Sequence, residues 1–539
     1  MIVALLLVPL LGAAALGALA VRPSTADGPV PRWTAVAVAA VAFGLSLALL
    51  PGSRPPAPGR AVDPRHEVNV SWIPAIDVRF HVGVDGVSLP LVVLTALLTL
   101  LCTISTVRRV PRPGRAATFN ALVLLLEVGL LGTFVALDLV LFFVAFEIVL
   151  APMYFLIAVW GGGARARHAA LKFILYTLLG SVFVVIGILT VYASAGTFDV
   201  VELSERGGAG IAHGTQVLAF AALFAGFAVK SPLWPLHTWL PDAHTEAPTV
   251  GSVLLAGALL KMGTYGLVRV ALPVLPEGAR TLAPLLGALA VAGIVVGALC
   301  CLVQTDAKRL VAYSSVGHMG FVLLGIATLT PTGVNAALLG NIAHGLITGL
   351  LFFLVGGLKD RYGTADLRVL GSGLAERLPR LGALFVLASV ASLGLPGLAG
   401  FWGEAFALQA AFRPAADLSR TTYAVLLAVA AAGTAITAAY FLRLLRALVL
   451  GPLTEPAAAA GDALRARLRP GPPTGGVLVV ADPAEAPGDR RVGAAVDVRP
   501  VELAAWAPLV VLILVVGLYP RLVLGLTEAP VGALLGAFS

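Results

Sequence analysis

Fourteen stretches of about 20 predominantly apolar residues recur along this chain, each long enough to cross the hydrocarbon core of a bilayer as a helix. They lie near residues 2–21, 33–51, 85–107, 117–136, 138–160, 168–194, 216–235, 248–272, 280–303, 309–329, 333–357, 381–412, 421–449 and 503–526. A spanning segment must satisfy its own backbone polar groups, so the pattern predicts an all-α polytopic membrane protein whose first partner is the lipid bilayer. Composition agrees, with 59% of 539 residues hydrophobic and 12% charged, against about a quarter charged in soluble domains. The net charge of +8 points to no nucleic acid, because basic residues gather in cytoplasmic loops and set orientation.

Alternate loops carry Arg108, Arg109, Arg112 and Arg115, then Arg165 and Arg167, Lys308 and Arg309, and Lys359, Arg361 and Arg368. These loops are expected to be cytoplasmic, with both termini facing outward. The stretch from Ile2 to Val21 lacks a basic leader and an Ala-x-Ala cleavage site, and reads as a retained helix. Residues 452–502 are rich in Pro, Ala and Arg and read as a flexible cytoplasmic insertion without chemistry, although Gly476 to Ala481 could form a short strand. Replacing 456–498 by a short Gly/Ser linker is expected to preserve assembly and activity, measured as the yield and turnover of the purified complex, since the segment has little apolar core to lose.

Cys102, Cys300 and Cys301 sit in apolar runs without the spacings of zinc or iron-sulfur ligands. No P-loop occurs, and no GxGxxG follows a strand-like run. The expectation is therefore no cofactor and no metal on this chain, with any redox chemistry on other polypeptides.

The informative residues are charges inside apolar runs. The chain has five lysines, Lys172, Lys230, Lys261, Lys308 and Lys359, whereas its loops use arginine. Arginine stays charged under nearly all conditions, but a desolvated lysine can release a proton near neutral pH. Lys261 lies near mid-bilayer, eleven residues past Val250, and Glu147 and Glu404 occupy apolar runs at 139–160 and 381–412. Each ionisable group at such depth costs about 2.5 to 3.5 kcal/mol. One such group could glue two helices as an ion pair; a set of them points to proton transfer.

Lys230 is followed by Ser231-Pro232-Leu233-Trp234-Pro235, and Leu395-Pro396-Gly397 precedes Glu404. Proline breaks the hydrogen-bond ladder, and broken helices at membrane depth survive where protein or water satisfies the freed carbonyls. Paired breaks in two halves mark the transport site of an inverted-repeat transporter. His318 and His344 lie in apolar helices, suited to a relay that titrates near neutrality. His237 and His244, with Asp242 and Glu246, have metal-ligand residue types without metal-site spacing, and read as a loop gating water access.

The run from Lys230 through Trp239, Leu240, Pro241, Asp242, Ala243 and His244 to Val250 resembles the signature of the antiporter-like subunits of respiratory complex I. The likeness continues through Lys261, Asp306 to Met319, and Ile342-Ala-His-Gly345. Gly400-Phe-Trp-Gly-Glu404 is similar to the branch that carries glutamate where its relatives carry lysine; Phe146-Glu147 and Pro152 to Leu156 fit the same branch. The alternative within the superfamily is a chain of a multi-subunit sodium-proton antiporter.

The resemblance implies two inverted five-helix repeats at 117–272 and 280–449, flanked by helices within 1–110 and 503–539, with 452–502 inserted. It implies that Glu147 pairs with Lys230, that Lys261 connects the repeats, and that His318 and His344 bridge Lys261 and the exit residue Glu404 through water. It also implies multi-pass residence in the cell inner (cytoplasmic) membrane beside the other membrane subunits of complex I, especially neighbouring antiporter-like ones. NADH, flavin, iron-sulfur clusters and quinone are then expected on partner subunits, where quinone reduction would drive the pump.

Overall fold

The computed structural model describes residues 1–22, 26–51, 56–57, 59–108, 110–452 and 497–538. The expected insertion and its candidate strand at 476–481 lie almost wholly outside the described residues.

Twelve helices among the described residues are long and apolar enough to cross a membrane. They begin with α1 (Ile2–Ala20) and α2 (Pro29–Ala48). A hairpin of β1 (Arg65–Ile73) and β2 (Val78–Val84) follows, antiparallel with Val68 opposite Val82. Then come α3 (Leu89–Thr106), α4 (Ala116–Val135), α5 (Leu139–Trp160) and α6 (Ala166–Ala195). A short α7 (Val200–Arg206) leads to α8 (His213–Lys230), and α9 (Trp239–Glu246) leads to α10 (Thr249–Val274). The rest of the bundle is α11 (Pro276–Val303), α12 (Ala307–Ala327), α13 (Pro331–Tyr362), α14 (Pro379–Ser392), α15 (Ala399–Phe412), α16 (Arg420–Leu445) and α17 (Pro500–Leu518). A final helix, α18 (Arg521–Leu534), closes the described chain.

Three departures from the sequence reading have local causes. The stretch 216–235 is helical only to Lys230, because Pro232 and Pro235 cannot continue the ladder. The stretch 381–412 is two helices, α14 and α15, separated by a turn in which Gly394 and Gly397 have φ of +74° and +93°, a conformation glycine adopts without strain. The stretch 503–526 ends at Leu518, and Pro520 starts a separate helix.

Exposure separates rim from centre. Helix α10 is buried along its whole length, and α13 along nearly all of it, while α1, α2, α6 and α16 keep apolar faces outward. Aspartates fix the starts of two core helices. Asp138 accepts from Val140 N and Leu141 N at α5, and Asp306 accepts from Arg309 N at α12. Each also bridges an aspartate about sixty residues on, Asp138 with Asp199 and Asp306 with Asp366.

The hairpin is tied to the loop before α7 by His81, which is 2% exposed. Its Nδ1 lies 2.8 Å from Asp199 Oδ2 and its Nε2 2.8 Å from Glu67 Oε1. Burial works against a charge on His81, but its bonds to Asp199 and then Glu67 more than offset this and raise its pKa. An imidazole donating at both nitrogens is protonated. The tie is therefore complete below the ordinary histidine pKa and is lost as pH rises through the raised folded value. Hydrogen exchange of the β1–β2 amides should accelerate over that rise, by on the order of 1 kcal/mol of local opening because Glu67 is partly exposed. In His81→Ala the pH dependence should disappear.

Candidate functional site

The first buried group forms where α8 breaks. Lys230 is 1% exposed; its Nζ donates to Phe146 O at 3.4 Å and lies 4.2 Å from the centroid of the Phe146 ring. The carbonyls freed by the break find partners: Trp239 Nε1 donates to Val229 O at 3.0 Å, and Leu233 N to Ala228 O. Glu147, next in sequence to Phe146, accepts from Ser181 Oγ on α6. No ion pair within 4 Å joins Glu147 to Lys230; the ammonium rests on Phe146, within electrostatic range of the Glu147 carboxyl. Ser181 was silent in the sequence, since a serine in an apolar run carries no distinctive pattern.

The second group is Lys261, fully buried in α10. The helix widens into π turns at Leu255–Leu259 and Leu267–Ala271, on either side of the lysine. Such turns release carbonyls from the α ladder. Lys261 Nζ uses one, donating to Ala256 O at 2.7 Å. The same Nζ lies 2.6 Å from His344 Nδ1 on α13. Thr264 and Asn341, hydrogen-bonded to each other, clamp α10 to α13 one turn away.

The third group joins α12 to the broken pair α14–α15. His318 Nδ1 lies 2.8 Å from Glu404 Oε1, and His318 Nε2 lies 2.8 Å from Ser392 Oγ at the end of α14. Glycines bring the backbones close enough for this: a Cβ on Gly403 would fall 2.6 Å from Gly340 Cα on α13. The break sets the carboxyl against the turn, since a Cβ on Gly394 would lie 3.3 Å from Glu404 Oε2. His318 and His344 face each other with ring centroids 5.9 Å apart. A cavity of about 30 Å³ lined by His318, His344, Ser392 and Glu404 fills the space beside them, enough for about one water.

Expected site residues thus fall into two clusters. Lys261 with His344 and His318 with Glu404 line up as one file, the two imidazoles facing each other across a gap, and Glu147 and Lys230 form a separate group. His237 and His244 make no hydrogen bond to either, although His244 lies within electrostatic range of Lys261 and His344. The segment expected as a gating loop is helix α9, and His244 is fully buried, stacked on Phe352 with centroids 4.5 Å apart. Around it, Lys172 pairs with Asp242 at 2.7 Å and Lys308 donates to Ala247 O. No group of three or more potential metal ligands occurs among the described residues.

Comparisons with known proteins identify the family. Residues 136–432 match the family described as NADH:quinone oxidoreductase/Mrp antiporter, TM. NADH-quinone oxidoreductase subunit M of Rhodobacter capsulatus is 38% identical over 96% of this chain and 92% of its own. NAD(P)H-quinone oxidoreductase chain 4 1 of Synechococcus sp. (strain JA-3-3Ab) is 40% identical over 96% and 90%. A chain of respiratory complex I from Thermus thermophilus with bound NADH superposes over the full length of both chains, with a TM-score of 0.81 at 28% identity. A chain of the Mrp complex from Dietzia sp. DQ12-45-1b shares the fold, with a TM-score of 0.80 at 23% identity over 99% of this chain and 97% of that one. The chain belongs to the NADH:quinone oxidoreductase/Mrp antiporter family of membrane proteins, on its subunit M branch.

Proposed function

We propose that this chain is the subunit M of an NADH-quinone oxidoreductase in the cell inner membrane and moves protons through its buried lysine, histidine and glutamate side chains. The observation that carries the reading is the file at the centre of the bundle. Lys261 Nζ reaches His344 Nδ1 at 2.6 Å, and His318 Nδ1 reaches Glu404 Oε1 at 2.8 Å. Both contacts are within reach of direct proton transfer, and the cavity between the histidines has room for one bridging water.

In this reading Glu147 and Lys230 load a proton in the first repeat, Lys261 carries it between repeats, and His344 and His318 hand it to Glu404. Glu147 acts on Lys230 through its field, since no hydrogen bond or ion pair within 4 Å links them. Ser181 and Ser392 hold Glu147 and His318 in place. The aspartate pairs 138/199 and 306/366, recurring at like spacing, support a division into repeats at 117–272 and 280–449. Counting spans sets them at opposite ends, as inversion requires. NADH, flavin, iron-sulfur clusters and quinone belong to partner subunits, and neighbouring antiporter-like subunits flank this one.

The test is Lys230→Arg in the intact complex reconstituted into vesicles. Arginine keeps the charge but does not deprotonate, so pumping should fall at least about tenfold while NADH oxidation by the peripheral arm with an artificial acceptor persists. Parental pumping would remove Lys230 from the path, and sodium exchange without NADH would return the chain to the antiporter reading.

A further inference from the structure

Glu127 is a carboxyl of α4 that the file above does not use. It is fully buried, and neither of its oxygens meets a hydrogen-bond donor among the described residues. Buried polar groups are nearly always paired, and an unpaired carboxylate at bilayer depth would be costly. A second orphan lies on the same face. Asn120, seven residues earlier and 1% exposed, donates from Nδ2 to Ala116 O, and its Oδ1 has no donor.

The face carrying these residues can be located. Phe134 lies seven residues beyond Glu127, two turns along, and its ring meets Tyr265 of α10 with centroids 5.3 Å apart; Tyr265 Oη donates to Phe134 O at 2.9 Å. Glu127 therefore lies on the same side of α4 as Phe134, which meets the lysine helix. Going toward the cytoplasmic end, Glu127 is about 10 Å below Phe134, and Lys261 about 6 Å below Tyr265. The carboxyl and the amine stand within about one turn of the same depth.

Helix α3 packs against both. Its Leu98 packs on Gly257 of α10, and its Leu100 packs on the small apolar cluster that contains Leu124 of α4. Thr99 lies between them in sequence and is fully buried. Thr95, Thr99, Thr103 and Thr106 are all buried and donate to carbonyls of their own helix, which leaves hydroxyl lone pairs free to accept. Asn120 and, at the level of Lys261, Glu127 thus share a face of α4, and the neighbouring α3 carries four buried threonines.

We propose that Glu127 is a further proton-carrying residue of this subunit, feeding Lys261 along the seam between α3 and α4. The O–H bond of the neutral carboxyl breaks and an N–H bond forms on Lys261, leaving carboxylate and ammonium; a proton entering past Asn120 restores the acid. The proposal rests on Lys261 being part of the proton path, and the experiment separates the two. Glu127→Gln keeps shape and neutrality, so a packing role predicts parental behaviour. The proposal predicts assembled complex with pumping reduced at least about tenfold, partial return in Glu127→Asp, and loss from Glu127→Gln of a carboxylic C=O infrared band that changes in the parent during turnover. Parental pumping in assembled Glu127→Gln overturns it, as does absence of the band change in the parent. If Lys261→Ala pumps normally the proton-path reading itself fails; if only Glu127→Gln does, the relay stands without Glu127.

Discussion

Glu404→Gln should leave the complex assembled and abolish most coupled turnover. The amide preserves volume and can still hydrogen-bond His318 and sit against the Gly394 turn. It cannot release and rebind a proton at the end of the file. The imidazole of His318 is held by Ser392 Oγ on one nitrogen and Glu404 on the other, so the substitution removes the titratable carboxyl that follows His318 in this file. Rates of quinone-linked NADH oxidation and of proton movement should fall together, by at least about tenfold. Glu404→Asp, with the carboxyl drawn back by one methylene, should keep part of both. Glu404→Lys converts the site to the residue of the other branches and asks whether the exit depends on charge type or only on exchange. If Glu404→Gln pumps like the parent, Glu404 is structural and protons leave elsewhere.

Lys261→Ala should have the larger effect. Lys261 holds Ala256 O of its own helix and His344 Nδ1 of the neighbouring α13. Removing the amine strands both groups, and cutting one member from a buried polar contact typically costs about 1–3 kcal/mol. Burial throughout α10 and its clamp by Thr264 and Asn341 should let the complex assemble despite that cost. What is lost is the one titratable side chain between the repeats in the central file, so no proton should reach His344.

Much of this was legible in the sequence because the chemistry is anomalous there. Lys261, Glu147 and Glu404 stand alone in apolar runs, and prolines flag the breaks after Lys230 and before Glu404. Registers, by contrast, come from packing. That Lys230 rests on Phe146, one residue short of Glu147, depends on how α8 turns against α5. Ser181 and Ser392 have no sequence signal apart from the groups they touch. The hairpin was there to read in the alternation Val68, Val70, Trp72, a period of two that a search for long apolar runs passes over. Glu127 carries the same signal as Glu147, a lone carboxyl in an apolar run. What distinguishes it, burial without a donor, appears only in the fold.

The central claim is that protons cross through Lys261. Its most direct measurement is the number of protons moved per NADH oxidised by vesicles carrying the assembled Lys261→Ala complex, with the redox arm checked separately using an artificial acceptor. The expected result is a normal redox arm and proton movement through this subunit reduced to background, so that any residual turnover moves fewer protons per NADH than the parent. A variant that oxidises NADH through quinone and moves the parental number of protons would contradict it.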